Sequence, residues 1–278
     1  RVGTALAAAL GRAGHPVVAA SAVSDASRRR IARTLPGAAV LPPDEVIQAA
    51  DLVLLTVPDD VLGALVAGLA ATGTPMAGRL LAHASGRHGL AVLEPATRAG
   101  ALPLALHPVM TFTGRPDDLE KLTGISFGVT APEALLPVAE ALVMEMGGEP
   151  VLIAEERRDL YHAALASVAN HLVTLVAQAR DLLGQAGVAD PGRLLGPLLF
   201  AALDNALRLG DDALTGPVAR GDADTVTSHL QALRAAAPET VPAYVALARL
   251  TADRAPAAGL LAPGDAQRLL GVLGGTPR

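Results

Sequence analysis

Apolar and polar positions along this chain keep two different rhythms. Over residues 1–154, short apolar runs bounded by Gly or Pro alternate with amphipathic stretches of helical period. Runs that short read as buried parallel strands, and their alternation with helices predicts an α/β domain with a doubly wound parallel sheet. The spacing predicts a helix over 2–13, with Val2, Leu6, Ala9 and Leu10 on one face and Gly14 ending it. Strands are expected at 16–21, 38–41, 51–57, 79–83, 102–107, 125–129 and 150–153. Helices are expected at 27–34, at 43–49, from Pro58, and at 132–146. Asp44 and Glu45 suit the positive start of the helix they open. After Ala154 the strand rhythm stops. Helical periodicity runs over 155–187, 191–209, 223–237, 241–254 and 263–273, with a frayed tail expected at 274–278. The boundary between the α/β domain (1–154) and an all-helical domain (155–278) is therefore placed near Ala154.

With 278 residues, 51% of them apolar, the chain can bury a core in each of two domains. Aromatic residues make up only 2%, so packing must rest on close contacts between Ala, Leu and Val. Net charge is −5 and no basic run goes beyond Arg28-Arg29-Arg30, which argues against nucleic acid as a partner. The absence of Cys excludes disulfides, thiolate metal sites and a thiol nucleophile, and fits a reducing compartment. No uninterrupted apolar run reaches the roughly 18 residues of a bilayer span, and no signal peptide is visible. A soluble cytoplasmic protein with no membrane contact is the expectation. Lys121 is the only lysine, so a lysine general acid would have to be Lys121 itself.

Two of the predicted strands end in histidine. Residues 79–83 close on His83, followed by Ala84-Ser85-Gly86; residues 102–107 close on His107, followed by Pro108-Val109-Met110-Thr111. Ligands of open α/β sheets sit just outside the carboxyl ends of the strands. His83, Ser85, His107 and Thr111 would then share one rim. A histidine at a strand end can also do no more than bond a nearby carbonyl; two on neighbouring strands, each followed by a hydroxyl, favour a site. On the helix 155–187, Ser167, Asn170, His171 and Thr174 fall within about 100° of one another at 3.6 residues per turn. A polar stripe on an apolar helix faces either solvent or a site. His162 could reach the rim from the same helix. Arg220, in the turn after Thr215-Gly216-Pro217, could pair a substrate carboxylate or lie at the surface. A metal hydrolase built on His83, His107 and His162 is a weaker option, because no paired His spacing on one helix supports it.

Arg1-Val2-Gly3, running at once into a helix, has the form of the second half of a dinucleotide fingerprint, in which a strand leads through Gly-x-Gly-x-x-Gly into a helix. Gly3 would be the last glycine. The first strand and the first two glycines would lie upstream of Arg1, and residues 17–21 and 51–57 would flank a lane left open or filled by a neighbour. An acidic partner for the adenosine ribose is expected at the end of the next strand. That position reads Ser21-Ala22-Val23-Ser24, with no carboxylate before Asp25 and with Arg28, Arg29 and Arg30 following. Hydroxyl plus guanidinium suits a 2′-phosphate, hence NADP over NAD. A solvated basic helix face is the other reading.

Several segments then combine. They are Arg1-Val2-Gly3-Thr4-Ala5-Leu6, Thr56-Val57-Pro58-Asp59-Asp60, His83-Ala84-Ser85-Gly86, His107-Pro108-Val109-Met110-Thr111-Phe112 and Leu122-Thr123-Gly124, followed by Tyr161-His162-Ala163-Ala164 through Asn170, and the stretch from Leu214-Thr215-Gly216 to Asp222. In this order the chain resembles Rossmann-like oxidoreductases with a C-terminal domain of unknown function called DUF2520. These are distant relatives of ketopantoate reductase, pyrroline-5-carboxylate reductase and the 6-phosphogluconate dehydrogenase superfamily. The resemblance implies NADP-linked reduction of a small oxo-acid, ketopantoate-like, or of an imine. It implies cofactor contacts at Arg1, Val2, Gly3, Ser21, Ser24, Arg28, Val57, Pro58 and Asp59, and a homodimer formed through the helical domain. In one respect the chain departs from the pattern. The better-known ketopantoate reductases use a lysine on the first long helix of the C-terminal domain, where this chain has Tyr161, His162, Ser167 and Asn170.

Reduction of a ketone builds negative charge on its oxygen, and histidine is the obvious donor for it. The candidate catalytic residues are His83, Ser85, His107, His162 and Asn170, with Asn170 the best candidate to hold the substrate oxygen. Thr111, Ser167, Thr174 and Arg220 are candidate substrate contacts. His83, Ser85, His107 and Asn170 are expected to line one cleft between the two domains. A reading from a different class is a non-catalytic dimeric protein that binds a nucleotide or metabolite.

Overall fold

The computed structural model describes residues 1–255 and 261–274. The chain divides into two compact units, Arg1–Asn170 and His171–Arg278. The first unit contains α1 (Val2–Arg12), β1 (Ala19–Ala20), α2 (Asp25–Thr34), β2 (Ala39–Val40), α3 (Pro43–Ala49), β3 (Leu52–Leu55), α4 (Asp59–Ala71), β4 (Leu80–His83) and α5 (Glu94–Arg98). It continues with β5 (Leu102–Pro108), β6 (Ser126–Thr130), α6 (Leu136–Glu145), β7 (Glu149–Leu152) and the opening of α7 (Arg158–Gln185). Local chemistry sets several of these starts. Ser24 caps α2 by accepting the Ser27 amide (3.2 Å), and prolines open α3 and α6, where a missing N–H costs nothing.

β1 and β2 form a two-stranded parallel sheet, and β3 to β7 form a five-stranded sheet whose spatial order is the sequence order. β1 and β3 each pair on one side only among the described residues. β3, β4 and β5 are parallel, as the alternation predicts, but β6 runs antiparallel to β5, and β7 follows β6 in parallel. The expected parallel sheet therefore carries one antiparallel pair, β5–β6. The link between β5 and β6 contains only two 3-10 turns, Pro116–Asp118 and Glu120–Leu122. Parallel neighbours are usually joined by a crossover helix. Without one the chain turns straight back, and the Val109 N–H donates to the Ser126 carbonyl (2.9 Å). The buried Asp118 carboxylate ties the link together, accepting from Gly114 N–H (2.6 Å), Thr113 Oγ1 (2.9 Å) and Thr113 N–H (3.2 Å).

Successive residues of a strand point to opposite faces, and the core divides accordingly. Ala82, Leu104, Leu106 and Phe127 pack under Leu6 and Leu10 of α1 and Val143 of α6. Val53, Leu55 and Leu81 pack on the other face, against Ile47 of α3, Leu62 and Val66 of α4, and Ala96 of α5. Full burial of one such Val, Leu or Phe contributes about 1.5–3 kcal/mol. The carboxyl ends of β3, β4 and β5 are thereby held level by two helical layers.

The second unit contains the remainder of α7, then α8 (Pro191–Leu209), α9 (Gly216–Ala219), α10 (Ala223–Ala236), α11 (Val241–Arg254) and α12 (Pro263–Val272). Asp190 and Asp222 cap α8 and α10 through the amides of Arg193 and Thr225 (3.1 and 3.0 Å). Val226, Leu230, Ala248, Ala252 and Leu269 form its core. Val173, Leu198, Phe200 and Leu207 on α7 and α8 are exposed. The segment Glu155–Gln185 is long and apolar enough to cross a bilayer by length and composition, an 18-residue window of it reaching a mean hydropathy of 1.3. Scattered polar residues keep this helix from being an uninterrupted apolar run. The tail expected to fray lies outside the described residues from Gly275 onward.

Candidate active site

The start of α1 lies against the end of β3. A Cβ on Gly3 would strike Thr56 Oγ1, so only glycine permits that approach. Val57 and Pro58 then lead into α4, with Pro58 as its N-cap and Asp59 in its first turn. Where β1 and β2 end, a cavity of about 500 Å³ opens, lined by Ser21, Ala22, Arg28, Val40, Leu41 and Pro42. Arg28 Nε donates to the Ala22 carbonyl (3.3 Å), which holds its guanidinium at the wall. Ser24 is occupied with capping α2 and does not line this cavity. Arg1 and Arg30 both lie against Gly114, and Arg33 Nη2 donates to the Gly114 carbonyl (3.4 Å).

β4 ends on His83, which is only 1% exposed. Its Nδ1 accepts the Ser85 N–H (3.2 Å), so its Nε2 must donate to the Gly89 carbonyl (2.8 Å). Burial, aided by the Arg158 charge and opposed by the bond to Gly89, holds its pKa down at about 4. The ring is therefore neutral near pH 7, with both nitrogens engaged, and it shapes the loop that follows. Ser85 Oγ accepts the His88 N–H (3.1 Å), and His88 Nε2 donates to the Asp59 carbonyl (3.1 Å). Glu155 accepts the amides of Leu90 (2.6 Å) and Ala91 (3.0 Å), and a side chain on Gly89 would strike that carboxylate.

His107 stands at the corresponding end of β5. Its Nδ1 lies 2.8 Å from the Tyr161 hydroxyl. The rings of Tyr161 and His162 both meet it edge-on, at 5.6 Å and 6.3 Å between centroids. Burial, then the charge of Arg158 and the neighbouring His162, push its pKa down to about 4. Its Nε2 has no hydrogen-bond partner among the described residues and faces Gly86, where a Cβ would lie 2.8 Å from it and 2.7 Å from His162 Cδ2. Gly86 thus lets the loop after β4 pack closely against both rings. Gly128, directly across from His107 on β6, does the same for Tyr161, whose hydroxyl occupies the place of the missing side chain. Burial raises the Tyr161 pKa, against the Arg158 charge and the Gly128 amide.

Arg158 unites these parts. It is 2% exposed and has no carboxylate within ion-pair distance among the described residues. Nε donates to Thr130 Oγ1 (2.9 Å), Nη1 to the Ser85 carbonyl (3.3 Å), and Nη2 to the carbonyls of Ala105 (3.2 Å) and Gly128 (3.0 Å). One guanidinium therefore ties the loop after β4 to β5 and β6. Burial lowers its pKa, opposed by Tyr161 and Glu155, and guanidinium stays charged regardless. Arg158, Tyr161 and His162 stand at i, i+3 and i+4, which sets them on one face of α7. That spacing was the available signal for Arg158 and Tyr161, which sequence reasoning did not assign.

The structure brings His83, Ser85, His107 and His162 together within the first unit. Thr111 is exposed just after β5. Ser167 and Asn170 follow His162 on α7, about 7.5 and 12 Å further along at 1.5 Å per residue. Thr174 and Arg220 belong to the second unit, Arg220 exposed at the end of α9. Lys121 forms an exposed pair with Asp117 (2.7 Å).

Residues 1–108 match the Rossmann-like domain family, and residues 125–251 match the domain of unknown function DUF2520. A comparison with curated proteins gives no match. Among solved structures, a Bacteroides fragilis protein provisionally named an NADP oxidoreductase aligns over 90% of this chain and 93% of its own, with a TM-score of 0.75 and 22% identity. A Thermotoga maritima protein aligns over 85% and 90%, with a TM-score of 0.65 and 24% identity. A reductive aminase from Aspergillus terreus, solved with NADPH and ethyl levulinate, aligns over 93% and 91%, with a TM-score of 0.61 and 20% identity. At these identities the likeness is one of fold.

Proposed function

We propose that this chain, a Rossmann-like domain continued by a DUF2520 domain, is an NADP-dependent oxidoreductase that reduces the carbonyl group of a small oxo-acid. The observation that carries the reading is the rim of the first unit. There the carboxyl ends of β1 and β2 open on a cavity walled by Ser21 and Arg28, and the carboxyl end of β5 presents His107 with Nε2 uncommitted. Gly3 lets the start of α1 pack closely on the end of β3, the part that the last glycine plays in a dinucleotide fingerprint. Ser21 and Arg28 would hold a 2′-phosphate, the guanidinium supplying paired charged bonds. When bound, the reduced cofactor supplies a hydride.

The chain's own groups do the rest. His107 donates Nε2–H to the substrate oxygen as a neutral imidazole, which polarises the carbonyl without bringing a charge of its own. His83 and Ser85 position the loop beside it. The buried Arg158 charge favours the negative charge that develops on that oxygen, and a carboxylate on the substrate. A neutral donor suits a carbonyl better than an iminium, which arrives already protonated. The exposed apolar residues Val173, Leu198, Phe200 and Leu207 supply a face for a second copy.

Titration of the full chain with NADPH and NADH, followed by NADPH oxidation against 2-oxo acids and cyclic imines, tests the reading. Arg28→Ala should weaken NADPH binding at least about tenfold and leave NADH unchanged, because a hydrogen bond to a charged group contributes about 1.5–3 kcal/mol. Equal or tighter NADH binding by the unaltered protein would overturn the cofactor assignment. Nucleotide binding with no turnover would favour a non-catalytic binder.

A further inference from the structure

We propose that Tyr161 and His107 form a proton relay, in which His107 Nε2–H protonates the reduced substrate oxygen while the Tyr161 hydroxyl delivers a replacement proton to Nδ1. This rests on the reductase reading above and adds the residue that completes its proton transfer. The need for such a residue follows from His107 itself. A neutral imidazole that gave up its one N–H would become an anion in a mostly buried place, which is costly. A second proton arriving at the other nitrogen removes that cost, and Tyr161 stands 2.8 Å from Nδ1.

The step balances. As the carbonyl carbon is reduced, the C=O π pair moves onto oxygen. That oxygen takes the proton from Nε2, the Nε2–H bond breaks, an Nδ1–H bond forms, and the Tyr161 O–H bond breaks. The imidazole stays neutral throughout, and the negative charge ends on the phenolic oxygen. Burial works against the phenolate, and Arg158, with its guanidinium carbon 5.9 Å from the ring centroid, and the Gly128 amide offset part of that cost. After product leaves, a proton taken up from solvent adds to the open Nε2 and Nδ1 returns its proton to the Tyr161 phenolate, which resets the pair at a net uptake of one proton per turnover.

Three elements are shaped for this contact. Gly128 of β6 faces His107 in register and has no side chain where the hydroxyl lies. Gly86, with no side chain, lets the loop after β4 approach the His107 ring without a clash. The α7 spacing sets Arg158 three residues before Tyr161. The charged and titratable groups acting on His107 are Arg158 and His162 from α7, His83 from β4, and Asp59 from α4.

Tyr161→Phe tests the relay, because it keeps the ring and removes only the hydroxyl. Turnover should fall about 100-fold, within the range of general acid–base catalysis, with KM and NADPH affinity within about twofold. In the unaltered enzyme, turnover against the deuterium fraction of the solvent should curve, reporting two protons in flight, and it should become linear in Tyr161→Phe. Nitrogen NMR of the free protein should show His107 as the Nε2–H tautomer, with that preference lost in Tyr161→Phe. A His107 protonated at Nδ1, or a linear plot for the unaltered enzyme, would overturn the relay without any variant. Full turnover in Tyr161→Phe would overturn the relay alone, whereas no reductase activity in the unaltered protein would remove the reading beneath it.

Discussion

Acid should destabilise the first unit well before its carboxylates titrate. His83 and His107 have pKa values of about 4 in the folded chain against 6.5 for a free imidazole. Between those values the unfolded chain binds protons that the folded chain refuses. Both folded values are depressed, so this stability is fully present above pH 6.5 and drains away as the pH falls toward 4. For a fully buried ring the gap corresponds to about 3 kcal/mol, and His83 meets that condition. His107 is partly accessible and contributes less, so about 5 kcal/mol together is the expected loss, comparable with the whole stability of many domains. Urea unfolding at several pH values between about 7.5 and about 4.5 measures it. The chain has two tyrosines and no tryptophan, so a Tyr244→Phe background leaves Tyr161 as the reporter of the first unit. His83→Asn should be less stable at pH 7, because its loop bonds are altered, but its loss of stability on acidification should be roughly halved. A midpoint that does not move between pH 6.5 and pH 4.5, or a His83→Asn chain with the same acid slope, would refute the argument.

Gly3→Ala drives a Cβ onto Thr56 Oγ1 and should cost about 1–3 kcal/mol in thermal unfolding, with most of it recovered when Thr56→Ala is added. Unaltered melting would mean that α1 does not press on β3. Arg158→Lys keeps the charge but cannot reach its four acceptors together; with about 1–3 kcal/mol for each buried group left unpaired, the loss should be at least about 3 kcal/mol. Hydrogen exchange in residues 84–90 should rise with it. Asp118→Ala frees three donors of the β5–β6 link and should speed proteolysis there while leaving the second unit's exchange unchanged.

Much of this architecture is legible from periodicity. The helices Pro43–Ala49, Pro191–Leu209 and Val241–Arg254 fall where their patterns begin and end, because prolines, caps and apolar spacing agree there. Strand direction is not written in the same way. The run that becomes β6 looks like any buried strand, and only the helix-free link before it signals that the chain reverses. The short α5 and its preceding 3-10 turn were missed, since one turn of helix leaves no periodic trace. At the rim, the histidines stood out because they end strands. Arg158 and Tyr161 did not, because their partners are backbone carbonyls and an imidazole far along the chain, and such pairings have no local pattern. The role of His83 was likewise hidden: whether a ring nitrogen faces a ligand or a carbonyl six residues on is decided by the loop and not by the strand.

From β3 to β7 every strand hydrogen-bonds to the strand that follows it in the chain. A sheet assembled this way requires no strand to wait for a partner beyond its next neighbour in the chain, so each loop closure costs less than in a sheet with shuffled strand order. During synthesis, each strand that leaves the ribosome finds its neighbour already present. The sheet that carries His83 and His107 can therefore grow by addition at one edge, and the His107–Gly128 register that seats Tyr161 needs no residue of α7 to form.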